Sequence, residues 1–151
     1  MTIDKSQEYW KGRKAEDVIE YLKLYSGDEI TKTVMVKCDI CGSDKLLAEV
    51  DSDEGAIKIV CPNCKRERFL LDSEEYWNDC EPDVIRCPDC NNDIFNIGIG
   101  FVYRKNDSHY ESNNPVKWVY IGNRCVKCGL LGSCGDWGIN YAPTDNLEKN
   151  T

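Results

Sequence analysis

Histidine is almost absent from this chain, with one residue, His109, among 151. A nucleophilic cysteine needs a base beside it. This single imidazole sits in the polar stretch "RKNDSHYESNNP", where a solvated loop role is expected instead. Long apolar runs are also missing. None approaches the roughly 20 residues that a membrane helix requires, so no membrane contact is expected. The opening "MTIDKSQEYWKGRK" has no apolar centre of an export signal, which leads us to expect a cytoplasmic, reducing setting. No P-loop, G-x-S-x-G or H-E-x-x-H occurs, and no catalytic residue is assigned. Positive charge is short too. Lys and Arg number 19 against 27 Asp and Glu, a formal net charge of −8. A phosphate backbone repels such a chain unless a local basic stripe overrides the average.

What the chain has in excess is cysteine, with ten residues. In a reducing setting a disulfide framework is not expected. Eight of them form four C-x-x-C pairs: Cys38/Cys41, Cys61/Cys64, Cys87/Cys90 and Cys125/Cys128. Two intervening residues let a tight turn, a knuckle, aim both sulfurs at one point. Two knuckles supply four thiolates, a closed tetrahedral zinc site, so two Zn²⁺ per chain are expected. Four sulfurs in a tetrahedron also accept iron. A redox C-x-x-C usually opens a helix that lowers its thiol pKa. These four lie between strand-like segments, with Gly or Asn beside several, as knuckles that need left-handed backbone would have. With all four positions taken by sulfur, no site is left for a metal-bound water, so Lewis-acid catalysis is not expected.

Each half, a knuckle, a strand pair and a second knuckle, resembles a zinc ribbon of the rubredoxin-like kind, over about residues 34–72 and 84–142. The whole chain is also similar to an uncharacterised family of small bacterial zinc-ribbon proteins, through "EYWKGRKAEDVIEYL", "DSEEYW" and "DWGINYAPTDNL". That resemblance brings no activity with it.

The fold class expected is mainly β: two tandem zinc ribbons, small antiparallel sheets with four-Cys knuckles, behind one N-terminal α-helix. The segments are 1–33 (helical), 34–79 (first ribbon), 80–145 (second ribbon) and 146–151 (tail). The helix is expected from about Lys14 to Ser26, with Val18, Ile19, Leu22 and Tyr25 on one face and Gly27 as its stop. "LLAEV" and "IKIVC" flank "DSDEGA" as a hairpin, and "ERFLLD" reads as a third strand. In "FNIGIGFVY", Phe95, Ile97, Ile99, Phe101 and Tyr103 share one face, while Asn96, Gly98 and Gly100 leave the other thinly covered; "VKWVYIG" is the expected partner strand. "VKCDICGSDKLLAEV" aligns without gaps on "IRCPDCNNDIFNIGI", so the halves read as an internal repeat. Local pairing of knuckles, first with second and third with fourth, closes the shorter loops and is preferred over a crossed arrangement.

Lys37, Lys65, Arg66, Arg86, Arg124 and Lys127 crowd the knuckles. Four thiolates on Zn²⁺ leave two formal negative charges per site, which nearby cations offset. That role is preferred over a nucleic-acid surface. Cys80 and Cys134 lie outside the pairs and are expected to be buried free thiols. Trp137, Ile139 and Tyr141 alternate as a short strand docked on the second ribbon. Trp137 is then its lid, the Asp136–Tyr141 rim a candidate partner site, and order ends near Asn146. The function expected is structural zinc binding in a protein–protein interaction or scaffold module. A nucleic-acid-associated ribbon, as in transcription or translation factors, is the alternative. The partner, pathway and oligomeric state are not readable in the sequence.

Overall fold

The structure is a computed structural model that describes residues 3–6, 10–27, 30–104, 115–141 and 144–151. His109 lies outside the described residues. A short ladder pairs β1 (Ile3–Asp4) with β2 (Lys11–Gly12). Helix α1 (Asp17–Ser26) follows. It starts three residues later than the apolar spacing suggests, because the Asp17 carboxylate accepts the N–H groups of Arg13 (2.8 Å) and Lys14 (3.2 Å) and holds those residues in a turn. Gly27 ends the helix in the left-handed conformation, φ 69°. Val18 and Leu22 are fully buried, whereas Tyr25 is 52% exposed and stacks on Tyr21 at 5.7 Å. The buried stripe is therefore narrower than the periodicity implies.

The remaining strands build two four-stranded antiparallel sheets. One contains β4 (Leu47–Asp51), β5 (Ala56–Val60), β6 (Glu67–Phe69) and β7 (Asp83–Val84), in the order β6-β5-β4-β7. The other contains β3 (Lys32–Met35), β8 (Phe95–Tyr103), β9 (Val116–Cys125) and β10 (Leu131–Gly138), in the order β10-β9-β8-β3. A short helix α2 (Ser73–Tyr76) and a 3-10 turn (Trp77–Asp79) lead from the first sheet to β7, and α3 (Asp145–Lys149) closes the chain. The chain is thus mainly β with one longer helix near its start and two four-cysteine groups.

The repeat in sequence becomes a reciprocal exchange of strands in space. β3 precedes the first knuckle but pairs with β8, placing Met35 opposite Gly98 and Val34 opposite Ile99. β7 precedes the third knuckle but pairs with β4, placing Val84 opposite Glu49 and Asp83 opposite Val50. Under the gapless alignment these are equivalent pairs. Leu46 and Phe95, themselves equivalent positions, pair with each other through N–H···O bonds of 2.9 and 2.8 Å. Val36 N–H donates to Ile97 O at 2.9 Å, and its counterpart Ile85 N–H donates to Ala48 O at 3.0 Å. The two halves are therefore related by an approximate two-fold axis through the Leu46–Phe95 pair.

The exchange gives the two sheets one shared core. Val50, Ile57 and Ile59 from the first pack with Ile97, Ile99, Phe101, Val119 and Ile121 from the second. The opposite face of β8 and β9 carries glycines because α1 lies on it. A Cβ at Gly98 would stand 2.8 Å from Val18 Cγ1, and one at Gly122 would stand 2.8 Å from Leu22 Cγ. The second sheet is thus covered on both faces, and β8 is buried from Phe95 to Val102.

One expectation near the C-terminus needs correction. Order does not end near Asn146: Leu147 is fully buried, and Asn150 exchanges two hydrogen bonds with the backbone of Leu71, at 2.8 and 3.0 Å. Glu148 accepts from Lys32 (2.6 Å) and Tyr103 (2.5 Å), tying α3 to β3 and β8. Trp137 covers the first sheet's hairpin as well as Gly135 of its own strand. A Cβ at Gly55, in the β4–β5 turn, would meet its ring at 3.0 Å. The Asp136 carboxylate accepts the Trp118 indole N–H at 3.1 Å.

Candidate metal centres

All four knuckles repeat one backbone plan. The N–H of the first cysteine donates to the carbonyl five residues on, and the N–H four residues on returns to the carbonyl of that cysteine. The pairs are Cys38–Ser43 and Gly42–Cys38, Cys61–Arg66 and Lys65–Cys61, Cys87–Asn92 and Asn91–Cys87, and Cys125–Leu130 and Gly129–Cys125, at 2.8–3.0 Å. Closing so tight a loop requires a left-handed residue just after the second cysteine. Gly42, Lys65, Asn91 and Gly129 fill that place, with φ from 62° to 83°. Gly and Asn are the residues expected there. Lys65 is not, and it adopts φ 68° while its ammonium donates to Pro62 O at 3.0 Å.

The knuckles meet in local pairs. The sulfurs of Cys38, Cys41, Cys61 and Cys64 all lie within 4.8 Å of one another, as do those of Cys87, Cys90, Cys125 and Cys128. The short contacts join the first cysteine of one knuckle to the second of the other. They are Cys38–Cys64 at 3.4 Å, Cys41–Cys61 at 3.5 Å, Cys87–Cys128 at 3.5 Å and Cys90–Cys125 at 3.5 Å. A tetrahedron with metal–sulfur bonds of about 2.3 Å has edges of about 3.8 Å, so both groups could hold a metal ion with little movement. In each knuckle the first sulfur faces the core. Cys38, Cys61, Cys87 and Cys125 are no more than 4% exposed, and their partners lie nearer the surface.

Donors around Cys41 and Cys125 favour their thiolates. The Asn63 side chain, then the Ser43 N–H, holds the Cys41 thiol down to about 6. Burial raises Cys125, but the N–H groups of Cys128 and Lys127 and the Asn92 amide overcome it and bring that thiol to about 6 as well. Asn92 Nδ2 stands 3.4 Å from Cys125 Sγ. Cys64 receives the Arg66 N–H, yet its neighbouring thiols, Cys38 foremost, push it up to about 12. Burial and the same crowding put Cys128 at about 12. In each metal-free group one sulfur sheds its proton easily and another keeps it, and a bound cation would displace that last proton. The two asparagines escaped the sequence reading. Their only signal was an amide inside C-P-N-C and another two residues past Cys90.

Three arginines beside the knuckles turn to protein partners. Arg66 makes a two-pronged contact with Asp39 (3.1 and 3.2 Å), joining the two knuckles of the first group. Arg86 lies 3.8 Å from Asp93. Arg124 donates to Gly12 O (2.8 Å) and to Asn96 Oδ1 (2.9 Å). The spare thiols are remote from this chemistry. Cys80 Sγ contacts Tyr76 O at 3.2 Å and its pKa is raised, by burial first and by Asp51, Glu54 and Asp79 next. Cys134 sits at a bulge of β10, and burial raises it to about 12. Neither is an activated nucleophile.

Among the described residues no helix is long and apolar enough to cross a membrane. The two cysteine groups are consistent with tandem zinc-ribbon-like motifs. Compared with protein-family models, curated proteins and solved structures, the chain matches none.

Proposed function

We propose that each four-sulfur group holds one zinc ion, two per chain, that both ions are structural, and that the chain works in a reducing compartment as a scaffold or protein–protein interaction module. The carrying observation is the closure of both groups. Sulfur occupies every tetrahedral position, and backbone and asparagine N–H groups support the negative charge. Such a site crosslinks its knuckles. Zinc suits this better than iron, because it adds no redox chemistry.

A protein partner is favoured over nucleic acid for two reasons. Arg66, Arg86 and Arg124 already face carboxylate, amide or carbonyl oxygens. Apolar side chains also stand at the surface: Ile40, between Cys38 and Cys41, is 70% exposed, and Leu24 on α1 is 45% exposed. Elemental analysis of the protein purified under reducing conditions should give two zinc and no iron. Fluorescence anisotropy with single- and double-stranded oligonucleotides should show no binding below the micromolar range at physiological salt. Salt-sensitive binding there would replace the interaction reading with the nucleic-acid one.

A further inference from the structure

The two sulfur groups share their geometry but not their surroundings. We propose that the first site, on Cys38, Cys41, Cys61 and Cys64, is an exchangeable metal site, while the second is retained with the fold. This rests on the reading of both as zinc sites.

Cover is the first difference. The outer sulfurs of the first group belong to exposed residues, Cys41 and Cys64, whereas Cys90 and Cys128 are half-buried. The N-terminal segment lies across the second group as a strap. Gly12 N–H donates to Gly129 O at 2.8 Å, Leu131 N–H donates to Trp10 O at 2.8 Å, and Lys11 reaches Asp89 at 3.2 Å on the opposite knuckle. The strap fits so closely that a Cβ at Gly129 would stand 2.6 Å from Gly12 O. Across the first group's knuckles run the exposed Arg66–Asp39 pair and Arg68, which donates to Lys37 O at 2.7 Å and lies 3.9 Å from Asp39.

Access is the second difference. A groove of about 840 Å³ runs beside the first group and is lined by Cys38, Lys37, Asp39, Arg66 and Arg68. It gives water and a small chelating ligand a path to the core-side sulfur. If the first ion leaves, the framework around it remains, as its counterpart would at the second site. β4 stays paired with β7 and Leu46 with Phe95, and the inner faces of both sheets stay in one core. Loss of the first ion therefore loosens two knuckles without dismantling a sheet.

The test uses the full-length, zinc-loaded chain. Excess EDTA is added, and samples are taken over time for native mass spectrometry, near-UV circular dichroism and N-ethylmaleimide labelling with peptide mapping. The expected result is two phases of zinc loss separated by roughly tenfold or more in rate, as local opening differs from global opening. The one-zinc species should carry label at Cys41 and Cys64 and keep most of its near-UV signal. Lys11→Gln should speed the slow phase and leave the fast one unchanged. A single phase, early label at Cys90 and Cys128, or a one-zinc species without near-UV signal would overturn the proposal while leaving structural zinc intact. A chain that takes up no zinc at all would overturn both.

Discussion

The first site closes one end of β6-β5-β4-β7, with Cys41 and Cys64 exposed and a groove alongside. The second closes one end of β10-β9-β8-β3, under a strap from Trp10 to Gly12 and in a sheet that α1 covers. Inside each site the knuckles are near copies, down to the left-handed residue and the paired backbone bonds. The comparison separates two kinds of information. The C-x-x-C repeat sets how sulfurs converge. Segments outside the repeat set how well the result is shielded.

The largest expected effect comes from breaking the better shielded site. Cys87→Ser removes a ligand worth a share of the order of 10 kcal/mol that structural zinc contributes in small domains. We expect loss of cooperative thermal unfolding. Cys38→Ser should instead leave a folded one-zinc protein, and Cys80→Ser should change stability by no more than about 0.5 kcal/mol. Equal damage from Cys87→Ser and Cys38→Ser, measured by calorimetry, would erase the distinction.

Acid should order the sites in the same way. Metal binds thiolate, so protons compete more strongly as pH falls. Below about 6 even the most acidic sulfur of each group, Cys41 or Cys125, favours its proton in the metal-free state. Zinc should therefore leave on acidification and not on raising the pH, from the first site before the second. A zinc-responsive dye read during a pH titration would show two steps.

Trp137 probes the contact between the regions, since it belongs to β10 and covers the β4–β5 turn at Gly55. Trp137→Ala should cost about 3 kcal/mol, the lower end for aromatic truncation, because the ring is only half-buried. Hydrogen exchange should accelerate in the Ser52–Gly55 turn more than in β9. Gly122→Ala acts on the second sheet alone. Its new methyl would meet Leu22 and Val18 at 2.8 Å, so α1 must shift, at about 1–3 kcal/mol by denaturant titration.

Some of these features were open to sequence reading because they are local. Thiol spacing needs only a tight turn, so both four-sulfur groups follow from C-x-x-C with short-loop pairing. The alternation in "FNIGIGFVY" names the face of β8 that enters the shared core, because side chains on a strand must alternate, but not that α1 covers the face expected to be thinly covered. Gly27 marks the end of α1 through its own φ. Tyr25 falls on the expected apolar face yet stays 52% exposed and stacks on Tyr21, because periodicity cannot say how far a sheet extends beneath a helix. Nor does it say which side chain will find a partner: Asp136 accepts the Trp118 indole.

By itself, then, the sequence determined the four knuckles, their convergence in two four-sulfur groups, the mainly β class and the repeat. Each depends on residues close together in the chain. Only the tertiary structure decided that β3 and β7 trade sheets, that Leu46 meets Phe95 at the axis, that Leu147 enters the core, and that Gly12 straps one site and leaves the other open. Those contacts join segments tens of residues apart. They are selected by which surfaces remain unburied after the local turns have formed, and no local pattern records that.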